Sequence, residues 1–570
     1  MSTDYWVVTD ALGRNLPKFD EVGPKKKDRY VGMFYFITHN ESETSGPFNV
    51  TEIIKENPED PQWGNGSHYW GEPEIGYYLN NEEWAIRKHA YQLSDAGVDV
   101  IILDVTNDKT YSDTYFTICK VFQQMRYEGE NTPDIAFLAS EISVNQLWED
   151  FYSKGLYQNL WFQWKGKPLL LYGQHEIPSR NLVNEIEFSE EIKNFFNLKQ
   201  SWAWTTLPWY DNGKDEWPWV DHYPQAVSWS KNSEKEMIPV SVAQHPLSNI
   251  GRSFHNFHQP KTNEFDVTPI TGNGLYFQEQ WDRALEVDPE FVFVTGWNEW
   301  SAGRQTMGEN VSEQLQKWKF YPGAHLGKLG EELIPGDVYF IDQYNQEYSR
   351  DIEPVKGGHS DNYYYQLMAN IRRYKGMNPP QKIDIPKTIT ISGDFDQWEK
   401  VKNVYLDHKG DIAHRKSEKQ GSAGPYINTQ GRNDILESRV SYDKENFYFY
   451  VKTVEALSDP SEKNWMILLI DSDQNKETGW EGYDFLLNGD LANFTETSVK
   501  KYDLKNGWVE VRKVPLKILD NQMMLSVPKN IFNSENFDFH WVDNPKKLKD
   551  INDFFEAGDN APERRANFRF

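Results

Sequence analysis

Residues 291–304, Phe-Val-Phe-Val-Thr-Gly-Trp-Asn-Glu-Trp-Ser-Ala-Gly-Arg, set a carboxylate, an amide, two indoles and a guanidinium directly after a short apolar run. The run, Phe291 to Val294, reads as a buried parallel strand, and Trp297, Asn298, Glu299, Trp300 and Arg304 follow its C-terminal end. In barrels of alternating strands and helices, chemistry sits at that end. A charge, stacking faces and a hydroxyl partner are what cleavage of a sugar requires. A carboxylate between two tryptophans is also costly to bury without a purpose. The competing reading is a core strand whose last residues happen to be polar.

Hydrolysis of a glycosidic bond commonly uses two carboxyl groups, one of them from a different strand end. The acidic residues that leave predicted strands are Asp104, Glu141, Glu176 and Asp342, with Glu347 and Asp351 in the loop beyond. Each of these alone is more often a structural hydrogen-bond partner than a catalyst. His39 closes the first strand and His245 the sixth, where imidazoles can bind sugar hydroxyls or, with Asp104, a metal. There is no His-x-His or His-Glu-x-x-His spacing, so no cofactor is expected in catalysis. Arg304 and Arg350 are placed to pair with site carboxylates, which would depress one pKa and leave another group protonated. Ser349-Arg350-Asp351 reads equally well as a plain ion pair.

These residues need a scaffold. Strands are expected at 30–37, 98–105, 134–139, 168–172, 200–206, 238–244, 291–296 and 337–342. Helices are expected between them, at 82–96, 111–126, 183–197, 276–287 and 311–317. Eight alternations imply a (β/α)8 TIM barrel. A doubly wound sheet is the alternative, but no Gly-x-Gly-x-x-Gly follows the first strand. Trp204 lies on the fifth strand. Two long segments rich in Trp and Tyr follow strands one and five and read as binding walls. Residues 61–78 carry Trp63, His68, Trp70, Glu72 and Glu74, and residues 207–230 carry Trp209, Trp217, Trp219, Asp221 and His222. Residues 1–28 form a lead-in strap and 29–377 the barrel. A linker at 378–386 contains Asn378-Pro379-Pro380, and 387–570 holds short β-rich runs that imply an antiparallel β-sandwich.

Composition bounds the partners. The 570 residues carry a net charge of −27, which excludes nucleic acid and disfavours anionic membranes and polyanions. Neutral carbohydrate fits this charge. Aromatic residues make up 15% of the chain, including 22 Trp and 31 Tyr, enough to line clefts as well as cores. No apolar run is long enough to span a membrane, and residues 1–6 carry no basic-then-apolar leader. A periplasmic, surface or secreted location is favoured if a leader precedes this start. The single cysteine, Cys119, rules out an intrachain disulfide and reads as a buried structural thiol.

Trp297-Asn298-Glu299-Trp300, followed by Gly303, resembles the motif of the endo-acting mannosidase barrels of glycoside hydrolase family 99, the related family 71 and WbsX-like proteins. Those families tend to read Asn-Glu-Trp-x-Glu-Gly, with both glutamates functional. Glu299 matches the first, and Ala302 stands in place of the second. The resemblance therefore implies a proton donor from elsewhere, with Glu347, Asp104 and Glu72 as candidates in that order.

The C-terminal part resembles family 9 carbohydrate-binding modules in Ile391-Ser-Gly-Asp394-Phe-Asp396-Gln-Trp398 and in the hairpin from Ser441 to Val451. Trp465 and Trp480 are its stacking candidates, or core residues. Asp471, Asp473 and Asn475 alternate along a polar turn, a pattern that suits a structural calcium ion, although the twelve-residue hand motif is incomplete.

The expectation is a glycoside hydrolase with Glu299 as nucleophile or base. Trp297, Asn298, Arg304, His39, Trp70, Glu72, Glu141, Trp204, His245 and Asp351 would contact the sugar. A non-catalytic glycan-binding protein is the alternative, favoured by Ala302. A transferase or lyase on the same scaffold is a third reading.

Overall fold

The computed structural model describes residues 3–39, 45–56, 68–173, 188–205, 209–244, 248–260, 270–302, 304–306, 308–309, 334–336, 338–340, 342–412, 414–417, 421–554 and 558–570. The chain is mixed α/β, with one curled parallel sheet and one curled antiparallel sheet.

Seven strands build the parallel sheet: β1 (Tyr30–Tyr35), β2 (Val100–Val105), β3 (Asp134–Ser140), β4 (Lys167–Gly173), β5 (Asn197–Gln200), β6 (Lys235–Ser241) and β7 (Phe291–Thr295). Their apolar runs are buried throughout, because helices cover one face and packed side chains the other. Strands adjacent in sequence are adjacent in space from β1 to β5. β6 pairs with β7, and β7 returns to pair with β1. That cyclic order is singly wound and excludes the doubly wound alternative. At the β7–β1 seam the Phe291 ring packs over Gly32, where an added Cβ would lie 2.5 Å from it. Between β5 and β6 the sheet continues through isolated parallel bridges, Gln200 to Glu216, Ala203 to Val220 and Lys214 to Trp229.

The expected eighth strand is not in this sheet. Val338–Phe340 instead pairs antiparallel with Arg304–Thr306 as a separate ladder. The physical reason is that β1 already occupies the free edge of β7. The expected fifth strand also begins earlier, at Asn197. Helices α1 (Glu83–Ala96), α2 (Ser112–Tyr127), α3 (Glu141–Leu147), α4 (Leu275–Val287) and α5 (Asn362–Lys375) are described. In α1, Ile86, Ala90 and Leu93 form the buried stripe, and Gly97 ends the helix in a left-handed conformation at φ 88°. The helix expected at 311–317 lies outside the described residues, as do residues 183–187 of the one expected at 183–197, whose described part is a short helix at Glu190–Phe195.

The C-terminal strands are all antiparallel, and most follow one unbroken path; Asp559–Ala561 branches from it, and Arg415–Ser417 with Tyr426–Asn428 forms a separate two-stranded ladder. Gly507–Leu519 belongs to both halves of the path, pairing first with Glu496–Asp503 and then with Gln522–Pro528. The path ends on the N-terminal segment, where Trp6–Val7 pairs with Asn567 and Phe568. Buried ion pairs join this sheet to the parallel one. Arg415 clamps Glu82 at 2.5 and 2.8 Å, and Arg564 pairs with Glu74. Trp465 is core, 1% exposed and donating to Ser458, while Trp480 is half-buried against Tyr483. Cys119 is buried within α2.

Candidate active site

The C-terminal end of β7 delivers Gly296 to Ala302, and the backbone there is held from two sides. Gly296 N–H donates to Arg350 O at 2.7 Å, and Ile352 and Glu353 donate back to Gly296 and Trp297. Trp70 N–H donates to Trp300 O, and Ala302 N–H to His68 O. Glu299 is thus pinned between the loop after β1 and the 342–353 segment. Its own N–H donates to Asp351 Oδ1 at 2.7 Å, and Trp70 Nε1 donates to Asp351 Oδ2 at 2.8 Å.

The Glu299 carboxylate is unevenly served. Arg350 Nη2 at 2.9 Å and Gln343 Nε2 at 3.0 Å both donate to Oε2. Oε1 has no donor among the described residues, and the side chain keeps 13% of its exposure. Burial pushes the group up to about 8; Arg350 opposes the shift, while Asp342, Asp351 and Asp104 add to it. Arg350 is itself 2% exposed, donates to Asp342 O, and lies over the half-buried Trp219 ring at 5.5 Å. A carboxyl group that carries a proton near neutrality, not sealed from solvent and near a partly exposed indole, can act as a general acid.

Several expected contacts have other duties. Asn298 is fully buried; its amide is spent on the backbone N–H and C=O of Phe36 and on Tyr78. Trp297 and Trp300 are also fully buried. Trp300 stacks on Trp70 at 4.4 Å and donates to Glu353, so these indoles buttress the loop rather than face a sugar. Burial holds His39 down to about 4, and its ring lies against Phe36 and Tyr69 with Nε2 3.2 Å from Asn298 O. Asp351 is sealed at 0% exposure and serves as a positioning group.

Glu347, the first-ranked proton donor, is fully buried, and both its oxygens are occupied. Oε1 accepts from Ser253 N and Oγ and from Gln259, and Oε2 accepts from Thr271 at 2.6 Å. It is a structural knot. Glu72 pairs with Lys356 at 2.7 Å. Trp204 donates to Gln244 at 3.0 Å and is 8% exposed. Glu141 is exposed on the first turn of α3. Asp104, 7% exposed at the end of β2, raises the Glu299 pKa and is the remaining candidate for a second carboxyl group. Arg304 lies on the ladder strand described above. His245, Trp63 and Glu176 fall outside the described residues.

Gln343 was not foreseen, nor was the buried set around Glu353, which accepts from His89, Tyr78 and Trp300. No local pattern marks them, since their partners lie 44 to 275 positions away in sequence. In the C-terminal turn, Asp471 and Asp473 accept from Asn475 N–H, whose side-chain oxygen accepts from Glu477. Asp484 is a third acidic group beside Asp471 and Asp473. Its carboxylate already accepts from Ser472 N and Oγ.

No family model matches the chain, and no curated protein matches it. Two solved structures of the GH99 endo-alpha-mannosidase from Bacteroides thetaiotaomicron align with it, one in complex with BIS-TRIS-Propane. The alignments cover 61% of this chain and 98% of theirs, at 12% and 11% identity and TM-scores of 0.33 and 0.31. At those values no residue correspondence follows.

Proposed function

We propose that this protein is a glycoside hydrolase acting on a neutral poly- or oligosaccharide, with Glu299 as its proton-handling group. The observation that carries the reading is the half-served Glu299 carboxyl: Arg350 and Gln343 hold one oxygen, and the other is open. In its protonated form Glu299 would donate to the leaving oxygen. Arg350 would then stabilise the carboxylate left behind, so that Glu299 can act as base in the return step. Asp104 would be the second carboxyl group, and Trp219 a stacking face. We read the curled parallel sheet as a (β/α)8-type barrel completed through residues 214–220, and the antiparallel sheet as a sandwich that supports it and contacts glycan.

A second reading, glycan binding without cleavage, is favoured by Ala302, a buried residue that can supply no proton. The experiment is release of reducing sugar from a panel of plant, fungal and host glycans by the wild type and by Glu299→Gln. Release abolished in the variant supports the hydrolase. Retention on glycan affinity gels by both proteins, with no release by either, supports the binder. A product absorbing in the ultraviolet would indicate a lyase.

A further inference from the structure

Where the two sheets meet, carboxylates gather around the turn that follows Val404–Leu406. Asp407 and Asp411 lie on that turn, and Asp559 opens the short strand Asp559–Ala561. They are 6%, 2% and 2% exposed. One ligand atom from each lies within 4.8 Å of the others. Proximity of acidic groups is common, and by itself it means little.

The second observation concerns their valency. By hydrogen-bond geometry none of the four buried carboxylate oxygens of Asp407 and Asp411 has a donor, nor has Oε2 of the adjoining Glu563, although the His408 N–H lies close enough to Asp407 to favour its charged form. Native interiors rarely leave one such atom unserved, because an unpaired buried charge costs several kcal/mol or more. Five together on one wall call for a missing partner. The nearby positive groups are already engaged. Lys88 Nζ on α1 reaches Glu563 Oε1 at 3.3 Å, and its single charge is shared with Asp411 and Asp559. His408 sits between Asp95 at 3.0 Å and Glu130 at 2.9 Å. Asp434 faces Gly410 N–H, and Asp559 receives Ile435 N–H and Asn560 N–H.

The donor set identifies the absent partner. Carboxylate oxygens without nitrogen or sulfur ligands suit a hard cation, and two oxygens within 4.8 Å can share one ion at about 2.4 Å, the calcium distance. We propose that Asp407, Asp411 and Asp559 bind a divalent cation of calcium type, with Glu563 at the edge of the site, and that this ion ties the turn after Val404–Leu406 to the strand Asp559–Ala561. The site is separate from the 471–475 turn, whose carboxylates already accept turn hydrogen bonds, and it does not depend on the hydrolase reading. Burial holds the Asp407, Asp411 and Asp559 pKa values well above the carboxylate range while no cation is present, so protonation is the rival way to neutralise them.

The test uses the whole chain, stripped with chelator and then titrated with CaCl2 or MgCl2 while thermal unfolding and bound metal are measured. We expect about one equivalent of calcium retained or rebound at this site and a rise in melting temperature of several degrees. Asp471→Asn/Asp473→Asn should keep that ion, and Asp407→Asn/Asp411→Asn should lose it. If the second double variant fails to fold, the titration of Asp471→Asn/Asp473→Asn still decides, because the turn can then hold no ion. No bound calcium and no calcium-dependent shift at millimolar concentration would overturn the proposal. So would an ion that survives Asp407→Asn/Asp411→Asn but is lost from Asp471→Asn/Asp473→Asn. A stripped protein that weakens as pH rises from 5 to 8, equally with and without calcium, would mean protonated carboxyls and would also overturn it.

Discussion

Glu236 and Glu299 stand at opposite ends of the parallel sheet, and both are reached by way of tryptophans. Glu236, at the start of β6, is 2% exposed. It accepts from Trp164 at 3.0 Å, Trp217 at 2.9 Å and Lys199 at 2.7 Å. Every demand of that carboxylate is met, so it can only hold the floor of the sheet together. Glu299 has two donors on one oxygen, none on the other, and an opening to solvent. Indoles beside a glutamate therefore do not mark a reactive group. Unspent valency does, and it appears at the C-terminal end of the strands, where loops rather than core close the site.

The largest separation between the two ends should come from truncation. Glu236→Ala leaves the buried Trp164 and Trp217 N–H groups without an acceptor and takes one of two carboxylates from Lys199, which keeps Asp215 at 2.5 Å, and we expect a loss of about 3–5 kcal/mol of stability by denaturant unfolding. Glu299→Gln should leave the fold intact. A comparable stability loss in Glu299→Gln would erase the distinction.

The next effect is on pH dependence. The Glu299 pKa is raised in the folded state, so the stability it gives the fold is fully present below the ordinary value near 4.5. That contribution is lost as pH rises through about 8. Glu299→Gln and wild type should therefore match near pH 4, and the variant should become the more stable by roughly 2–4 kcal/mol at pH 9. Chemical denaturation at both pH values checks this. Arg350→Met removes the cation that opposes the shift, so the alkaline limb of any activity profile should move to higher pH while the rate falls by roughly tenfold or more.

The smallest effect should come from Trp70→Phe, which removes one donor to Asp351. We expect a stability loss of about 1–2 kcal/mol with the fold retained.

Much of this architecture is legible in the chain. Runs such as Val100-Ile-Ile-Leu and Phe291-Val-Phe-Val declare buried parallel strands because both faces are covered. Val338-Tyr-Phe-Ile looks the same, yet it pairs elsewhere, because the edge of β7 belongs to β1 and that is settled only by closure of the sheet. Helix α5 is not marked by an apolar stripe in the sequence, because its buried residues mix Tyr363, Tyr364, Tyr365 and Tyr374 with Leu367, Met368 and Ile371 and with polar Asn362, Gln366 and Asn370.

Glu299 and its pairing with Arg350 were readable from position and charge. The duties of Trp297, Asn298 and Glu347 were not. Each depends on donors brought from distant segments, which spacing along one chain does not reveal. Glu347 shows this most clearly, since Ser253, Gln259 and Thr271 saturate it from 76 to 94 positions away.

The most direct test is sugar release measured side by side for wild type, Glu299→Gln and Glu236→Gln on a glycan the wild type cleaves, normalised to folded protein. The account predicts a fall of about a thousandfold or more for Glu299→Gln and near wild-type release for Glu236→Gln. Release by Glu299→Gln within a few-fold of wild type would contradict it, whatever Glu236→Gln does.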